Sequence, residues 1–215
     1  MVQQTGLANV LSSLVQSASQ VHPIFALAIT MLMCIVLGMG VPTTANYVIM
    51  ASMVAPILMR SLSLPILAAH MFVFYFGIVA DITPPVALAA YAGSAIAKSN
   101  PLKTGVTATR LAITAFIVPY IFAFSPEMLI IGADKPWYEI VLLVVTALCG
   151  IYIISAGMEG YMYKNMPWWE RILSLVGGLC MVIPGIATDL IGVALIALVF
   201  LLQKIGAKKE KAKTA

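Results

Sequence analysis

The sequence predicts an all-α integral membrane protein in which a re-entrant helical hairpin and a broken transmembrane helix precede further transmembrane helices. Three observations predict this fold. The 215 residues are 62% hydrophobic and 9% charged, whereas a soluble domain carries about 25% charged residues. Apolar blocks follow one another along the chain. Two polar stretches that contain helix breakers, GMGVPTTAN at 38–46 and DITPP at 81–85, interrupt these blocks.

Residues 1–22 predict an amphipathic lead-in helix. Apolar side chains recur on one helical face, with Ser and Gln opposite: Leu7, Val10, Leu11, Leu14 and Val15. Such a helix either packs on the helix bundle or lies on the membrane surface. Surface helices usually carry Lys or Arg, and this segment has neither. Packing on the bundle is therefore the favoured interpretation.

Four short apolar blocks form two pairs, 23–37 with 43–59 and 64–80 with 85–97. A 15-residue helix is about 22 Å long, which is too short to cross a hydrocarbon core of ~30 Å. Each pair is therefore either a re-entrant hairpin or one broken span.

Three later blocks have the length of a membrane span, 105–124, 138–157 and 187–203. A shorter block precedes the last of them and turns at Pro184-Gly185. Thr188 or Asp189 is the predicted cap of the returning helix. These blocks predict the further transmembrane helices.

The basic residues set the orientation under the positive-inside rule. They fall after the second pair, after the 138–157 span and in the tail: Lys98 and Lys103, Lys164 and Arg171, and five lysines from Lys204 onward. If all three groups are cytoplasmic, 23–59 is a hairpin that opens to the exterior and 64–97 crosses once as a broken helix. The loop with Asp134 is then external, and the basic tail, 206–215, is cytoplasmic.

The two breaks point to a site for ions or ligands. Backbone polar groups in the bilayer core need partners, so irregular backbone persists only where protein buries it or where it lines a wet cavity. In secondary transporters, half-helix N-termini face anionic substrates and freed carbonyls coordinate a cation. An alternative stays open, in which both breaks are packing kinks whose backbone groups are satisfied by neighbouring helices.

The residue types in both breaks suit such a site. The first break combines glycines that permit unusual backbone angles, a proline, hydroxyls and an amide: Gly38, Gly40, Pro42, Thr43, Thr44 and Asn46. Thr44 is also the predicted cap of a helix from residue 45. In the second break Asp81 adds a negative charge, Thr83 a hydroxyl, and Pro84-Pro85 removes two N–H donors. Oxygens of this kind suit a hard cation such as Na⁺.

Two ionisable side chains allow more than one interpretation. Asp81 is either a functional carboxylate or a local cap of a half-helix. His70 is interpreted as a histidine hydrogen-bonded within the bundle rather than as a proton relay. Coupling to H⁺ in place of Na⁺ therefore stays open.

The sequence argues against other classes of function. The cysteines Cys34, Cys149 and Cys180 lack metal-ligand spacing, so we expect small buried hydrophobic residues. No GxSxG or HExxH motif is present, and Asp81 has no partner for a diaspartyl protease. The net charge of +4 arises largely in the tail, so no nucleic-acid partner is expected. The chain is predicted to be no enzyme and to need no cofactor apart from a coupling ion.

Three segments resemble a known family, namely LGMGVPTTANYVIMASMVAPIL, LAAHMFVFYFGIVADITPPVALAAYAGSAIA and NPLKTGVTATRLAITAFIVPYIFAFSPEML. They are similar to the C-terminal part of the large membrane subunit of TRAP (tripartite ATP-independent periplasmic) transporters. The likeness is closest to fused permeases that work with TAXI-type solute-binding proteins. It covers about 20–132, and GMGVPTTA followed by ITPPVALAA is its most specific element. Residues 137–205 resemble, more loosely, a C-terminal membrane extension of some fused permeases.

The resemblance implies half of an elevator-type transporter with inverted repeats. Residues 23–132 would be the second-repeat part of the transport domain, with hairpin 23–59, broken helix 64–97 and span 105–124. Such a permease is a multi-pass protein of the bacterial inner (cytoplasmic) membrane. It imports organic anions such as carboxylates, driven by sodium and fed by a periplasmic solute-binding protein.

The resemblance also implies roles for the residues of the two breaks. The expected cation-binding residues are Gly38, Gly40, Thr44, Asp81, Thr83 and Pro84. The expected substrate-binding residues are Thr43, Thr44, Asn46 and Thr83. The expected partners are the binding protein, an upstream permease half or small subunit, the anion and the lipid bilayer. Alone, the chain is expected to be a fragment that transports nothing. The alternative function is a non-transporting membrane assembly or scaffold module.

Overall fold

The computed structural model describes residues 7–130, 136–183 and 185–214. The chain divides into two compact units, Met1–Leu129 and Ile130–Ala215. The helices of the first unit are α1 Leu7–Val21, α2 Pro23–Gly38, α3 Thr43–Met53, α4 Ala55–Leu62, α5 Ile66–Val79, α6 Leu88–Ile96, α7 Pro101–Leu111 and α8 Ile113–Phe124. Those of the second unit are α9 Trp137–Glu159, α10 Trp168–Val182 and α11 Ile186–Thr214.

The predicted helical membrane fold is confirmed in its coarse form. Over the described residues the chain forms helices and no strand, apart from an isolated bridge between Tyr161 and Asn165. Three helical stretches there are long and apolar enough to cross a membrane, Thr43–Leu62, Trp137–Glu159 and Ala187–Gly206, and the bent pair α7–α8 is a possible fourth.

Helix α5 forms the centre of the first unit and packs against α2, α3, α4 and α8. A helix that is apolar on all sides is expected to be buried in this way. Phe72 and Phe76 are fully buried, and their ring centroids lie 4.8 Å apart. Tyr120 of α8 packs edge-on against both rings, at 5.5 and 5.9 Å. The outer helix α1 packs against α2 and α4 through Val15, which contacts Ala26 and Ile57.

The two halves of the predicted hairpin differ in length. Helix α2 has 16 residues, whereas α3 and α4 together make a 20-residue stretch, Thr43–Leu62, that is long enough to cross. The structure thus contains the helix–break–helix arrangement of 23–59, and its re-entrant form stays a prediction.

The segment 105–124, which is predicted to be one span, is bent in the structure. The helix begins earlier, at Pro101, because the Asn100 side chain accepts a hydrogen bond from the Lys103 backbone N–H at 3.1 Å. It then breaks at Ala112, where α7 and α8 meet at a bend of 40°. Leu111, Ala112 and Ile113 include no helix breaker, so the local sequence carries no sign of this bend.

Helices α9, α10 and α11 of the second unit pack closely through glycines. A Cβ added to Gly178 would lie 2.7 Å from the Gly150 carbonyl oxygen and 2.4 Å from Ile154. A Cβ on Gly192 would lie 2.5 Å from the Met181 side chain. Small residues let membrane helices approach in this way, since packing rather than hydrophobicity drives their association in lipid.

Three local predictions are wrong. Helix α3 begins at Thr43 after Pro42, so Thr44 does not cap a helix from residue 45. Helix α11 begins at Ile186, and Thr188 lies inside its first turn, donating to the carbonyls of Ile183 and Gly185. Cys34 is buried, but Cys149 is exposed, because the outer face of a membrane helix contacts lipid. Asp134 and Pro184 lie outside the described residues.

Candidate functional site

The first break joins α2 to α3 over a few residues of irregular backbone. Gly40 has a φ of 75°, a left-handed conformation that glycine adopts without a Cβ penalty. The Val41 N–H donates to the Gly38 carbonyl at 3.3 Å. Pro42 is extended, with φ −55° and ψ 140°, and α3 begins directly after it. The predicted break therefore lies where its glycines and proline place it.

The second break follows α5. The helix tightens into one 3₁₀ turn, Ala80–Ile82, which contains Asp81. Beyond this turn the chain opens until α6 begins at Leu88. The Thr83 hydroxyl donates back to the Val79 carbonyl at 2.7 Å, and the Thr83 N–H donates to the Ala80 carbonyl at 3.3 Å. Thr83 thus closes the end of the helical segment.

The structure brings the two breaks together. The end of α2 touches the 3₁₀ turn after α5, and a Cβ on Gly38 would lie 2.9 Å from the Cβ of Ala80. An alanine at position 38 therefore has no room. Two segments that are about 40 residues apart in the sequence meet at this point.

A cavity of about 420 Å³ lies between the two breaks. Residues of the first break, the second break and the start of α6 line it: Gly40, Val41, Pro42, Asp81, Leu88 and Ala89. Of these six residues Asp81 carries the only formal charge, and its side chain is half-buried. Pro42 is the residue before α3, and Leu88 and Ala89 are the first two residues of α6. Two helix N-termini and one carboxylate therefore border the same cavity.

The other predicted residues surround this cavity without lining it. Thr43 and Thr44 are exposed in the first turn of α3, and Thr83 and Pro84 are half-buried. Asn46 is 1% exposed, and its Nδ2 donates to the Gly77 carbonyl of α5 at 2.8 Å. The structure therefore brings Gly40 and Asp81 together and places Asn46 against α5. A substrate contact for Asn46 stays a prediction.

Neighbouring side chains satisfy part of the second break, and sequence reasoning missed them. The Thr109 hydroxyl of α7 lies 3.0 Å from the Ile82 carbonyl and 3.0 Å from the Gly105 carbonyl of its own helix, so it shares one proton between these two acceptors. The Tyr91 hydroxyl of α6 donates to the Pro85 carbonyl at 2.8 Å. Gly105 lies one turn before Thr109, and a Cβ there would lie 3.2 Å from Pro84. Gly105 and Thr109 lie on one face of α7, but this spacing does not identify the segment that the face contacts.

His70 forms the hydrogen bond that the sequence predicts. Its Nδ1 lies 3.0 Å from the Tyr47 hydroxyl, and both side chains are half-buried. Over the part of the chain that is described, no three His, Cys, Asp or Glu residues gather as a metal site.

The comparisons with known proteins identify the family of the region that contains both breaks. A family model described as "Tripartite ATP-independent periplasmic transporter, DctM component" matches residues 1–137. No curated protein and no solved structure matches the chain. The matched range contains both breaks and the cavity between them, and it covers more than half of the chain. The resemblance to the large membrane subunit is therefore confirmed, and the chain belongs to the DctM component family of tripartite ATP-independent periplasmic transporters.

Proposed function

We propose that the cavity between the two breaks is part of the ion and substrate site of a secondary-active, sodium-coupled permease for organic anions. Membership in the DctM family makes the chain a permease component of a multi-pass membrane transporter. One observation carries the finer proposal. The N-termini of α3 and α6 and the Asp81 carboxylate border one cavity of about 420 Å³, so the same space offers attraction to an anion and to a cation.

The proposed cation site centres on Asp81. A carboxylate, hydroxyls and carbonyl oxygens are the ligands that hard cations take in proteins. Asp81 and Gly40 line the cavity, and the remaining oxygens would come from Gly38, Thr44, Thr83 and the carbonyl of Pro84. The Thr83 hydroxyl donates its proton to the Val79 carbonyl, which leaves its oxygen lone pairs for a cation. Na⁺ is the proposed coupling ion, with H⁺ as the alternative.

The proposed anion site uses the starts of two helices. The first backbone N–H groups of a helix have no partner within it, and the helix dipole favours negative charge there. Helices α3 and α6 have 11 and 9 residues, and both begin at the cavity. Thr43, Thr44 and Thr83 are the proposed hydroxyl contacts to the anion, which we take to be a carboxylate.

The family implies a solute-binding protein and a small subunit as partners. We extend this to a TAXI-type periplasmic binding protein and to an upstream permease half that completes the site, with the chain as the C-terminal portion of an elevator-type large subunit. The support is the resemblance of the motifs at 38–46 and 81–85. The basic tail supports a cytoplasmic C-terminus in a bacterial inner membrane.

The test reconstitutes the chain with an upstream permease half and a binding protein in proteoliposomes. Uptake of a panel of radiolabelled carboxylates is measured over a series of Na⁺ concentrations. We expect Asp81→Asn to raise the half-saturating Na⁺ concentration about tenfold, because the cation loses its charged ligand, a difference of ~1.4 kcal/mol. Asp189→Asn is the matched control, since Asp189 lies in the first turn of α11 in the other unit. Equal sodium dependence in both variants would contradict the proposal.

One observation favours the alternative function, a non-transporting assembly or scaffold module. The Ile82 and Pro85 carbonyls already accept hydrogen bonds from Thr109 and Tyr91, as expected for a packing kink. Under this alternative, Thr109→Val would lower stability, while substitutions of Asp81 would leave the assembly and the uptake unchanged. The same transport assay separates the two functions.

A further inference from the structure

Asn46 lies where α2, α3 and α5 meet, directly beside both breaks. Its Nδ2 donates to the Gly77 carbonyl at 2.8 Å. The next residue reinforces the contact between α3 and α5. The Tyr47 hydroxyl lies 3.0 Å from His70 Nδ1, and the Tyr47 ring packs edge-on against Phe74, with centroids 5.4 Å apart. Two consecutive side chains of α3 therefore attach this helix to α5.

Two glycines make room for the Asn46 side chain. A Cβ on Gly38 would lie 2.6 Å from Asn46 Nδ2, and a Cβ on Gly77 would lie 3.1 Å from the same atom. A contact under about 3 Å forces a displacement. A side chain at position 38 would therefore displace the amide, whereas one at position 77 would make a tight contact that requires a shift of a few tenths of an ångström.

The position of this amide links it to the proposed site. Gly38 lies two residues before Gly40, and Gly77 lies one helical turn before Asp81. Asn46 thus contacts the residues that lead into each break, while it does not line the cavity. A shift of the amide would change the distance between Gly40 and Asp81.

One of the two hydrogen-bonding groups of the Asn46 amide has no partner among the described residues. Its Oδ1 is buried and has no hydrogen-bond partner among the described residues. A reversed amide would place Oδ1 against the Gly77 carbonyl, so the bond from Nδ2 fixes the orientation. A buried acceptor without a partner is costly, and an apolar side chain would avoid this cost. The hydrogen bond to Gly77 therefore indicates a role in geometry rather than in stability alone.

We propose that Asn46 is a positioning residue that holds the two breaks at a fixed separation, so that the cavity keeps its shape. This rests on the proposed function of the cavity. Asn46 acts through Gly38 and Gly77 and needs no contact with the cation or the anion. Tyr47 and His70 support the same contact between α3 and α5 from one face of α3.

The experiment measures the relation between the breaks in the full chain, in detergent and without transport. Cysteines replace Val41 and Ala89, which line the cavity from the first break and from α6, in a background of Cys34→Ala, Cys149→Ala and Cys180→Ala. A short bifunctional thiol reagent cross-links the pair. We expect Asn46→Ala to lower the cross-linking rate about tenfold, comparable to the loss of one buried hydrogen bond. Helix content is followed by circular dichroism.

Asn46→Asp supplies a readout that a merely structural role would not produce. At high pH its carboxylate faces the Gly77 carbonyl and repels it, so cross-linking is slow. At low pH the protonated carboxyl donates to that carbonyl, so the rate returns towards the parent value measured at the same pH. The alanine side chain in Asn46→Ala cannot donate a hydrogen bond, so cross-linking of this variant stays slow at every pH. Ser52→Ala is the matched control, because Ser52 of α3 is exposed and bonds only to the Ile49 carbonyl of its own helix.

Two results would overturn the positioning role. One is a parent-like cross-linking rate in Asn46→Ala with helix content unchanged. The other is an equal, pH-independent loss in Asn46→Ala and Asn46→Asp. Neither outcome bears on sodium coupling, which the Asp81→Asn transport assay tests separately.

Discussion

Replacing Gln203 by leucine tests the polar cluster that joins the helices of the second unit. The Gln203 side chain is fully buried on α11. Its Oε1 accepts from the backbone N–H groups of Tyr163 and Lys164, at 3.4 and 3.1 Å. Its Nε2 donates to the carboxylate of Glu170 in the first turn of α10. One amide therefore connects α11, α10 and the loop between α9 and α10.

The size of the effect follows from what the substitution leaves unpaired. Glu170 is 2% exposed, and after Gln203→Leu its carboxylate keeps only the Lys164 ammonium, at 3.9 Å, among its described side-chain partners. Removing the partner of a buried hydrogen-bonding group costs about 1–3 kcal/mol, and more when that group is charged. Each N–H left without an acceptor adds about 1–3 kcal/mol if water cannot reach it. We therefore expect a loss of at least ~3 kcal/mol in the free energy of unfolding.

The assay is denaturant-induced unfolding in detergent, followed by tryptophan fluorescence. All three tryptophans, at 137, 168 and 169, belong to the second unit, so the signal reports this unit alone. Gln16→Leu, at an exposed position of α1, is the matched control. The double variant Glu170→Leu/Gln203→Leu should lose less stability than Gln203→Leu, because no buried carboxylate is then left without the hydrogen-bond donor of Gln203. A Gln203→Leu stability within ~0.5 kcal/mol of the parent would refute the reasoning.

Three further predictions use other parts of the chain. Gly178→Ala should lower the stability of the second unit by about 1–3 kcal/mol, because the added Cβ would lie 2.4 Å from Ile154. Gly93→Ala is the control and should not lower it, because nothing lies within 4 Å of a Cβ at that position. Equal unfolding curves for the two variants would contradict this prediction. Single cysteines at Asp134 and Lys164, in the cysteine-free background, should label from opposite sides of the membrane, and labelling from the same side would show that the crossing count is wrong. Thr83→Val and Thr44→Val should each raise the half-saturating Na⁺ concentration in the transport assay with normal insertion, while unchanged values in both would favour packing kinks.

The breaks could be predicted from the sequence because their causes are local. Glycine and proline act on the backbone of their own and adjacent residues, and α2 indeed ends at Gly38, while α3 begins after Pro42. The membrane class followed from composition alone, since 9% charged residues cannot cover a water-facing surface.

The contacts that shape the cavity could not be predicted in the same way. Thr109 bonds to Ile82 across 27 residues, and Asn46 bonds to Gly77 across 31. Periodicity within one helix does not specify which neighbour its polar face meets. The position of Asn46 in the motif therefore did not predict its contact with α5, and its expected contact with the substrate stays a prediction. The bend at Ala112 also arises without a local breaker.

The arrangement of charge in the cavity suggests how sodium and anion binding would be coupled under the proposed function. Asp81 shares the cavity with the N-termini of α3 and α6, so without a cation its carboxylate occupies the positive field that an anion needs. Two like charges ~4 Å apart repel by about 4 kcal/mol at an effective dielectric constant near 20. Na⁺ on Asp81 removes this repulsion, and linkage requires that the anion strengthen Na⁺ binding by the same factor. Raising Na⁺ should therefore lower the half-saturating anion concentration more than it raises the maximal rate. A maximal rate that rises with Na⁺ at constant anion half-saturation would contradict this coupling.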